Sequence, residues 1–310
     1  MERGARTHLR RDFSLAAAHL LICFWLLIFS AHEAQAKSGV ISTDEVWSGE
    51  IDITADVTIS QNVTVRIDPG ALIRFSGNTA LNIYGRLDAV GTSDTPITFT
   101  SSSPTPTKGI WKGIYFYDSS LDLSSIDHAV IDYAARGVSC TSAGPGIRNS
   151  VLSNNSIGIY LSSSSSPIDG CTIKDSRDYG IYVDGNHSNT EIANNQIVRC
   201  NNGIHVSSYY SNPSIRNNII RGNAVYGIHI ADYNNPSISL NTLHGNGTAI
   251  YINIPNGYTA TISSNIITLN NCGINKNSGA CSLSWNDLWE NRIDFTGLSA
   301  GATDLSIDPI

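Results

Sequence analysis

The chain has 310 residues, of which 41% are hydrophobic and only 15% charged; that apolar share excludes intrinsic disorder. A formal charge of −7 with no basic run argues against nucleic acid or an anionic membrane surface as partner. The composition also excludes coiled coil, collagen and a multi-span membrane protein.

At the N-terminus, Arg10 and Arg11 precede an apolar run over residues 15–29, and Ala34, Gln35 and Ala36 supply a small-x-small ending. These are the three parts of a secretory signal. The apolar run is shorter than the roughly 20 residues a membrane span needs. We therefore expect a signal peptide over residues 1–36, with an uncleaved anchor as the alternative. The expected location is secreted, periplasmic or cell surface, with no membrane span after signal removal. Beyond the leader there are five cysteines, Cys140, Cys171, Cys200, Cys272 and Cys281, and no C-x-x-C. Zinc and thioredoxin-like chemistry are thus disfavoured. Cys272 and Cys281 could pair in an oxidising compartment or remain free.

Residues 37–120 alternate apolar and polar side chains at 57–59, 63–67, 72–75 and 81–83, with turn chemistry at Asp68-Pro69-Gly70 between them. They read as the first coils of a β-solenoid. Residues 121–291 carry the strongest signal, an internal repeat. One column is filled by Ser150, Cys171, Asn195, Asn218, Asn241, Asn265 and Asn286, at spacings of 21, 24, 23, 23, 24 and 21. Three positions earlier stand Ile147, Ile168, Ile192, Ile215, Ile238, Ile262 and Leu283; two positions later come Leu152, Ile173, Ile197, Ile220, Leu243, Ile267 and Leu288. A small residue opens each following strand: Gly158, Gly180, Gly203, Gly227, Ala249 and Gly273. A period in this range means stacked repeats. Within each copy the apolar period is two, so the copies hold short strands and not helix pairs. The fold expected is an all-β, single-stranded right-handed parallel β-helix with coils of 21–24 residues. Stacked Asn side chains would hydrogen-bond along the axis as a structural ladder.

The repeat over 121–291 resembles the right-handed parallel β-helix repeats of the pectate-lyase-like superfamily. The words WSG at 47–49, IDPGALIRF at 67–75, GRLDAVGT at 85–92, PITFT at 96–100 and WKGIY at 111–115 resemble the N-terminal part of secreted bacterial β-helix proteins. The words WNDLWEN at 285–291 and ATDLSIDP at 302–309 are also similar to that group. This resemblance implies an envelope or extracellular protein and is specific for the fold, not for an activity. Residues 292–310 are expected to be a C-terminal tail or cap, or the end of a truncated product.

The chemically informative column is the outward residue of the strand after the small residue: Ser139, Tyr160, Tyr182, His205, His229, Tyr251 and Asn275. Stacking would place these about one sheet spacing apart, roughly 4.8 Å. Tyr160, Tyr182, His205, His229 and Tyr251 would then form one exposed stripe. Aromatic faces suit the apolar side of sugar rings, so the expected partner is a polysaccharide or cell-surface glycan. His205 or His229 as base, with Tyr182 or Tyr251 as acid, are the catalytic candidates for a metal-independent β-elimination. An ordinary solvent-facing ladder in a structural surface or adhesin module is the third reading. The flanking turns add Asp184, His187, Tyr209, Tyr210, Asp232, Tyr233 and Tyr258. No cofactor is expected, and no metal, since two histidines lack a third ligand. The outward column before the Asn turn reads Arg148, Asp169, Ala193, Arg216, Ser239, Ser263 and Ser284, without the acidic cluster that calcium assistance needs. No Asp-Asp pair of the kind an inverting glycosidase would use occurs in the chain.

Overall fold

A computed structural model describes residues 34–118 and 123–309. Most of the expected leader lies outside the described residues. Its last two positions, Gln35 and Ala36, open the strand Gln35–Ile41 and pair with Ile51 and Asp52. The first strand therefore runs across the expected cleavage point.

Each coil contributes three short parallel strands, as in Ser214–Arg216, Ile219–Arg221 and Tyr226–Ala231. Strands at the same place in successive coils stack into three sheets, which we call first, second and third in the order the chain meets them. Among the described residues the first sheet has 11 strands, from Glu45–Trp47 to Ala280–Ser284. The second and third share one long strand, Glu50–Ile59, and diverge from it. Its residues 50–53 pair with Leu72–Phe75 and its residues 57–59 with Ala80–Ile83. The described residues contain no α-helix, and none of their elements is a helix able to cross a membrane. The fold is thus a right-handed parallel β-helix of about 11 coils.

The repeat columns read from sequence are columns in space. Ile192, Ile215 and Ile238 pair in register and are fully buried, as are Ile197, Ile220 and Leu243 in the second sheet. Each such side chain contributes about 1.5–3 kcal/mol by leaving water. The small column is small because the coils approach closely at the start of the third sheet. A Cβ on Gly203 would lie 2.4 Å from the Gly227 carbonyl oxygen, which no real side chain tolerates.

The Asn column forms the expected ladder. Asn195 Nδ2 donates to Asn218 Oδ1 at 3.0 Å, Asn218 to Asn241 at 2.9 Å, Asn241 to Asn265 at 3.0 Å and Asn265 to Asn286 at 2.9 Å. Each Oδ1 also accepts the backbone N–H of the preceding Asn, so both ends of the amide are used. A second ladder lies between the second and third sheets. Asn223, Asn246, Asn270 and Asn291 are linked in the same way at 2.9, 3.0 and 2.9 Å. Its column is Asn155, Ser176, Cys200, Asn223, Asn246, Asn270 and Asn291, with the same spacings as the first. Cys171 and Cys200 occupy ladder positions near the N-terminal ends of the two stacks, where their backbone N–H groups donate to Asn195 and Asn223. Both thiols are buried, and no described cysteine is in a disulfide.

At the C-terminal end each ladder finishes on a carboxylate. Asp304 Oδ1 accepts from Asn286 Nδ2 at 3.0 Å, and Asp294 Oδ1 from Asn291 Nδ2 at 2.9 Å. Leu305 also exchanges backbone hydrogen bonds with Asn286 and Leu288. Residues beyond 291 therefore continue the coil over the last repeat.

Candidate functional site

Among the described residues, the third sheet carries a column in which large polar aromatics face outward rung after rung in register. Tyr160 pairs with Tyr182, Tyr182 with His205, His205 with His229 and His229 with Tyr251. The column continues to Asn275 at one end and to Ser139 and Tyr115 at the other. All five expected stripe residues thus stand together on one face.

Their rings touch edge to face. Centroid separations are 5.4 Å for Tyr160–Tyr182, 5.0 Å for Tyr182–His205, 4.4 Å for His205–His229 and 4.9 Å for His229–Tyr251. Such T-shaped contacts are the favourable geometry for ring quadrupoles. Two further tyrosines, absent from the sequence reading, join the cluster. Tyr179 lies 4.9 Å from Tyr182 and 5.2 Å from His205; Tyr226 lies 4.8 Å from His229 and 4.9 Å from Tyr251. Tyr179 and Tyr182 are three residues apart, so strict strand alternation would put them on opposite faces. Gly180 and Ile181 are both buried between them, and that break in alternation turns both rings outward. The same interruption occurs at Gly227 and Ile228.

Packing sets the electrostatics. Burial pushes His205 down to about 4, with Asp184 opposing the shift. Burial and the neighbouring His205 push His229 down to about 4 as well. Both imidazoles are therefore neutral at pH 7, and His229 Nε2 is buried without a hydrogen-bond partner among the described residues. Burial raises the Tyr182 and Tyr160 hydroxyls, and Asp184 raises them further. Tyr160 donates to Asp184 Oδ2 at 2.8 Å, which fixes the edge of the stripe. Arg136 lies over the Tyr160 ring at 3.8 Å, a cation–π contact at the N-terminal end. The strands Tyr179–Asn186, Asn202–Tyr209, Tyr226–Ala231 and Thr248–Asn253 contain no Lys or Arg. No group of three metal-ligating side chains gathers among the described residues.

The flanking aromatics form a second row on the turn after the third sheet. Tyr209 stacks on Tyr233 at 5.3 Å, Tyr233 meets Tyr258 at 5.5 Å, and His187 stacks on Tyr210 at 6.0 Å. At the N-terminal end Tyr84 and Tyr117 stack at 4.7 Å, another pair that the sequence reading did not single out. Its signal was weak, because those coils lack the repeat that aligns the later ones.

Residues 136–288 match a family model described as right handed beta helix region. No curated protein matches the sequence significantly. Among solved structures, a periplasmic alginate epimerase, AlgG, superposes with a TM-score of 0.51 at 14% identity, covering 88% of this chain and 84% of its own. A Dettilon tailspike protein gives 0.47 at 16% identity over 87% of this chain and 61% of its own. The A-module of an Azotobacter vinelandii mannuronan C-5 epimerase gives 0.39 at 12% identity, over 87% and 91%. At 14% identity the likeness to AlgG is one of fold.

Proposed function

We propose that this chain, a right-handed parallel β-helix repeat protein, contacts polysaccharide through the third-sheet stripe of Tyr160, Tyr182, His205, His229 and Tyr251 without catalysing its cleavage. The observation that carries this reading is the unbroken ring column, one aromatic or imidazole per coil over five coils. A linear polymer also repeats along one axis, so successive sugars can meet successive rungs. Tyr rings offer apolar faces, while Tyr hydroxyls and neutral imidazoles offer donors and acceptors to sugar hydroxyls. An envelope or extracellular location accords with this role, and the fold shared with a periplasmic alginate epimerase supports it.

The catalytic alternative, β-elimination with His205 or His229 as base and Tyr182 or Tyr251 as acid, fits the site less well. A general base works best with a pKa near the operating pH, and both imidazoles are pushed down to about 4. Elimination also develops negative charge beside a uronate carboxylate, and the central rungs hold no cation to stabilise it.

The test is to incubate the purified protein with acidic and neutral polysaccharides while following bound protein and ultraviolet absorbance together. Binding without absorbance, weakened by Tyr182→Ala, is the expected result. Rising absorbance that disappears in His205→Ala would replace this reading with the lyase. Silence in both channels would leave the stripe as a packing ladder in a structural module.

A further inference from the structure

The stripe is one wall of a wider feature. Along the strand Asn202–Tyr209 the outward residues are His205, Ser207 and Tyr209. His205 and Tyr209 are four residues apart, so their columns stand about 13 Å from one another. Between them runs a column of short side chains, in which Asp184 pairs with Ser207, Ser207 with Ala231 and Ala231 with Asn253. The outer wall is exposed: Tyr209 is 43% accessible and Tyr233 41%. Short side chains between the two aromatic rows make a trough parallel to the solenoid axis, and at its N-terminal end the Tyr160 and Tyr182 hydroxyls reach onto its floor at Asp184 and Ser207.

Charge in this trough has one sign. Asp184 holds Tyr160 through one oxygen and the Gly185 N–H, at 2.7 Å, through the other. Asp232 Oδ2 accepts from Ser207 Oγ at 2.6 Å. Both carboxylates are therefore fixed at the trough, and neither forms an ion pair with a Lys or Arg among the described residues. Arg136, over the Tyr160 ring, lies at the N-terminal end, and the four central strands supply no cation. A polyuronate laid here would bring a carboxylate with every sugar past two fixed aspartates, with no counter-charge over the central rungs. An uncharged polymer would meet aromatic faces on both sides and carboxylate acceptors for its hydroxyls.

Resting on the glycan-contact reading above, we infer that the trough between the Tyr182–Tyr251 stripe and the Tyr209–Tyr233 row takes an uncharged polysaccharide and discriminates against polyuronates. Asp184 and Asp232 act as acceptors for sugar hydroxyls and as the excluding charges.

Affinity electrophoresis of the full protein tests this, in gels containing hydroxyethylcellulose or laminarin as neutral polymers and alginate or polygalacturonate as polyuronates. Retardation should occur in a neutral gel, should be insensitive to salt, and should be absent in both uronate gels. Tyr209→Ala and Tyr233→Ala lie at the exposed turn and should leave thermal unfolding unchanged, while weakening retention about fivefold. The double variant Asp184→Asn, Asp232→Asn should gain retention in a uronate gel. Salt-sensitive retention of the unaltered protein by alginate would overturn the inference and leave the stripe reading intact. Neutral retention lost in Tyr182→Ala but untouched in Tyr209→Ala and Tyr233→Ala would remove the trough as the path. No retention in any gel would overturn the glycan reading itself.

Discussion

The coils before residue 118 and those after residue 134 are the same solenoid held in two ways. The early coils fill their core with large rings: Trp47, Phe75, Phe99 and Trp111 are fully buried, and Phe75 stacks on Trp111 at 3.9 Å. Ion pairs brace their outside, Arg74 to Asp52 and Lys112 to Asp56, each at 2.7 Å. The later coils have a nearly uniform Ile core and two Asn ladders. The reason lies in the turns. An Asn ladder needs every coil to turn at the same height, and the later coils repeat every 21–24 residues. In the first sheet Asp88 pairs with Ser125, a step of 37 residues, so the early turns are out of register with one another. Irregular turns leave packing volume and surface charge to do what amide stacking does later.

Four measurements test that contrast. The largest effect is expected from Trp111→Ala. It removes a fully buried ring and the Nε1 donor to the Asp132 carbonyl at 2.7 Å. A loss of about 4 kcal/mol is expected, with Tm falling by roughly 10 °C in thermal unfolding. Asn241→Ala comes next, because it leaves Asn218 N and Nδ2 without their shared acceptor, both now at 2.9 Å. About 3 kcal/mol should be lost, and a change as mild as that of a surface residue would show that the ladder does not hold the later coils.

The third measurement is a pH titration of stability. His205 and His229 sit at about 4 in the folded chain and near the ordinary histidine value of 6.5 when unfolded. The unfolded chain therefore takes up protons first as pH falls. Their contribution is undiminished above pH 6.5 and should be lost as pH falls from 6.5 to about 4. The double variant His205→Gln, His229→Gln should flatten that slope in urea unfolding across the same window; an unchanged slope would mean that other groups cause it. The smallest effect is expected from Arg74→Ala, under about 1 kcal/mol and reduced further by salt, since the pair is partly exposed. A loss comparable to that of Trp111→Ala would mean that ion pairs, not rings, hold the early coils.

Much of the later half was legible in residue order. The columns headed by Asn218, Ile215 and His205 came from counting, and each is a register column in the structure. The second ladder was equally countable: Asn155 to Asn291 repeats the spacings of Ser150 to Asn286. Its unbroken Asn run is shorter, beginning at Asn223 where the first begins at Asn195, and Ser176 and Cys200 separate that run from Asn155. Tyr179 and Tyr226 are a different case. Period-two alternation assigns them inward, and only the break at Gly180 and Gly227 turns them out.

In a solenoid, a residue one period away in sequence is one sheet spacing away in space, roughly 4.8 Å. Residue order therefore sets everything that repeats: the coil, the buried columns, the Asn ladder and the order of the Tyr/His stripe. What does not repeat was decided by tertiary structure alone. Ring orientation in the stripe, Arg136 lying over Tyr160, and the fixed carboxylates of Asp184 and Asp232 all join residues at different points around the coil. So does the burial that holds both imidazoles neutral. These relations depend on side-chain angles and on how turns fold over the sheet, and no count along the chain contains them.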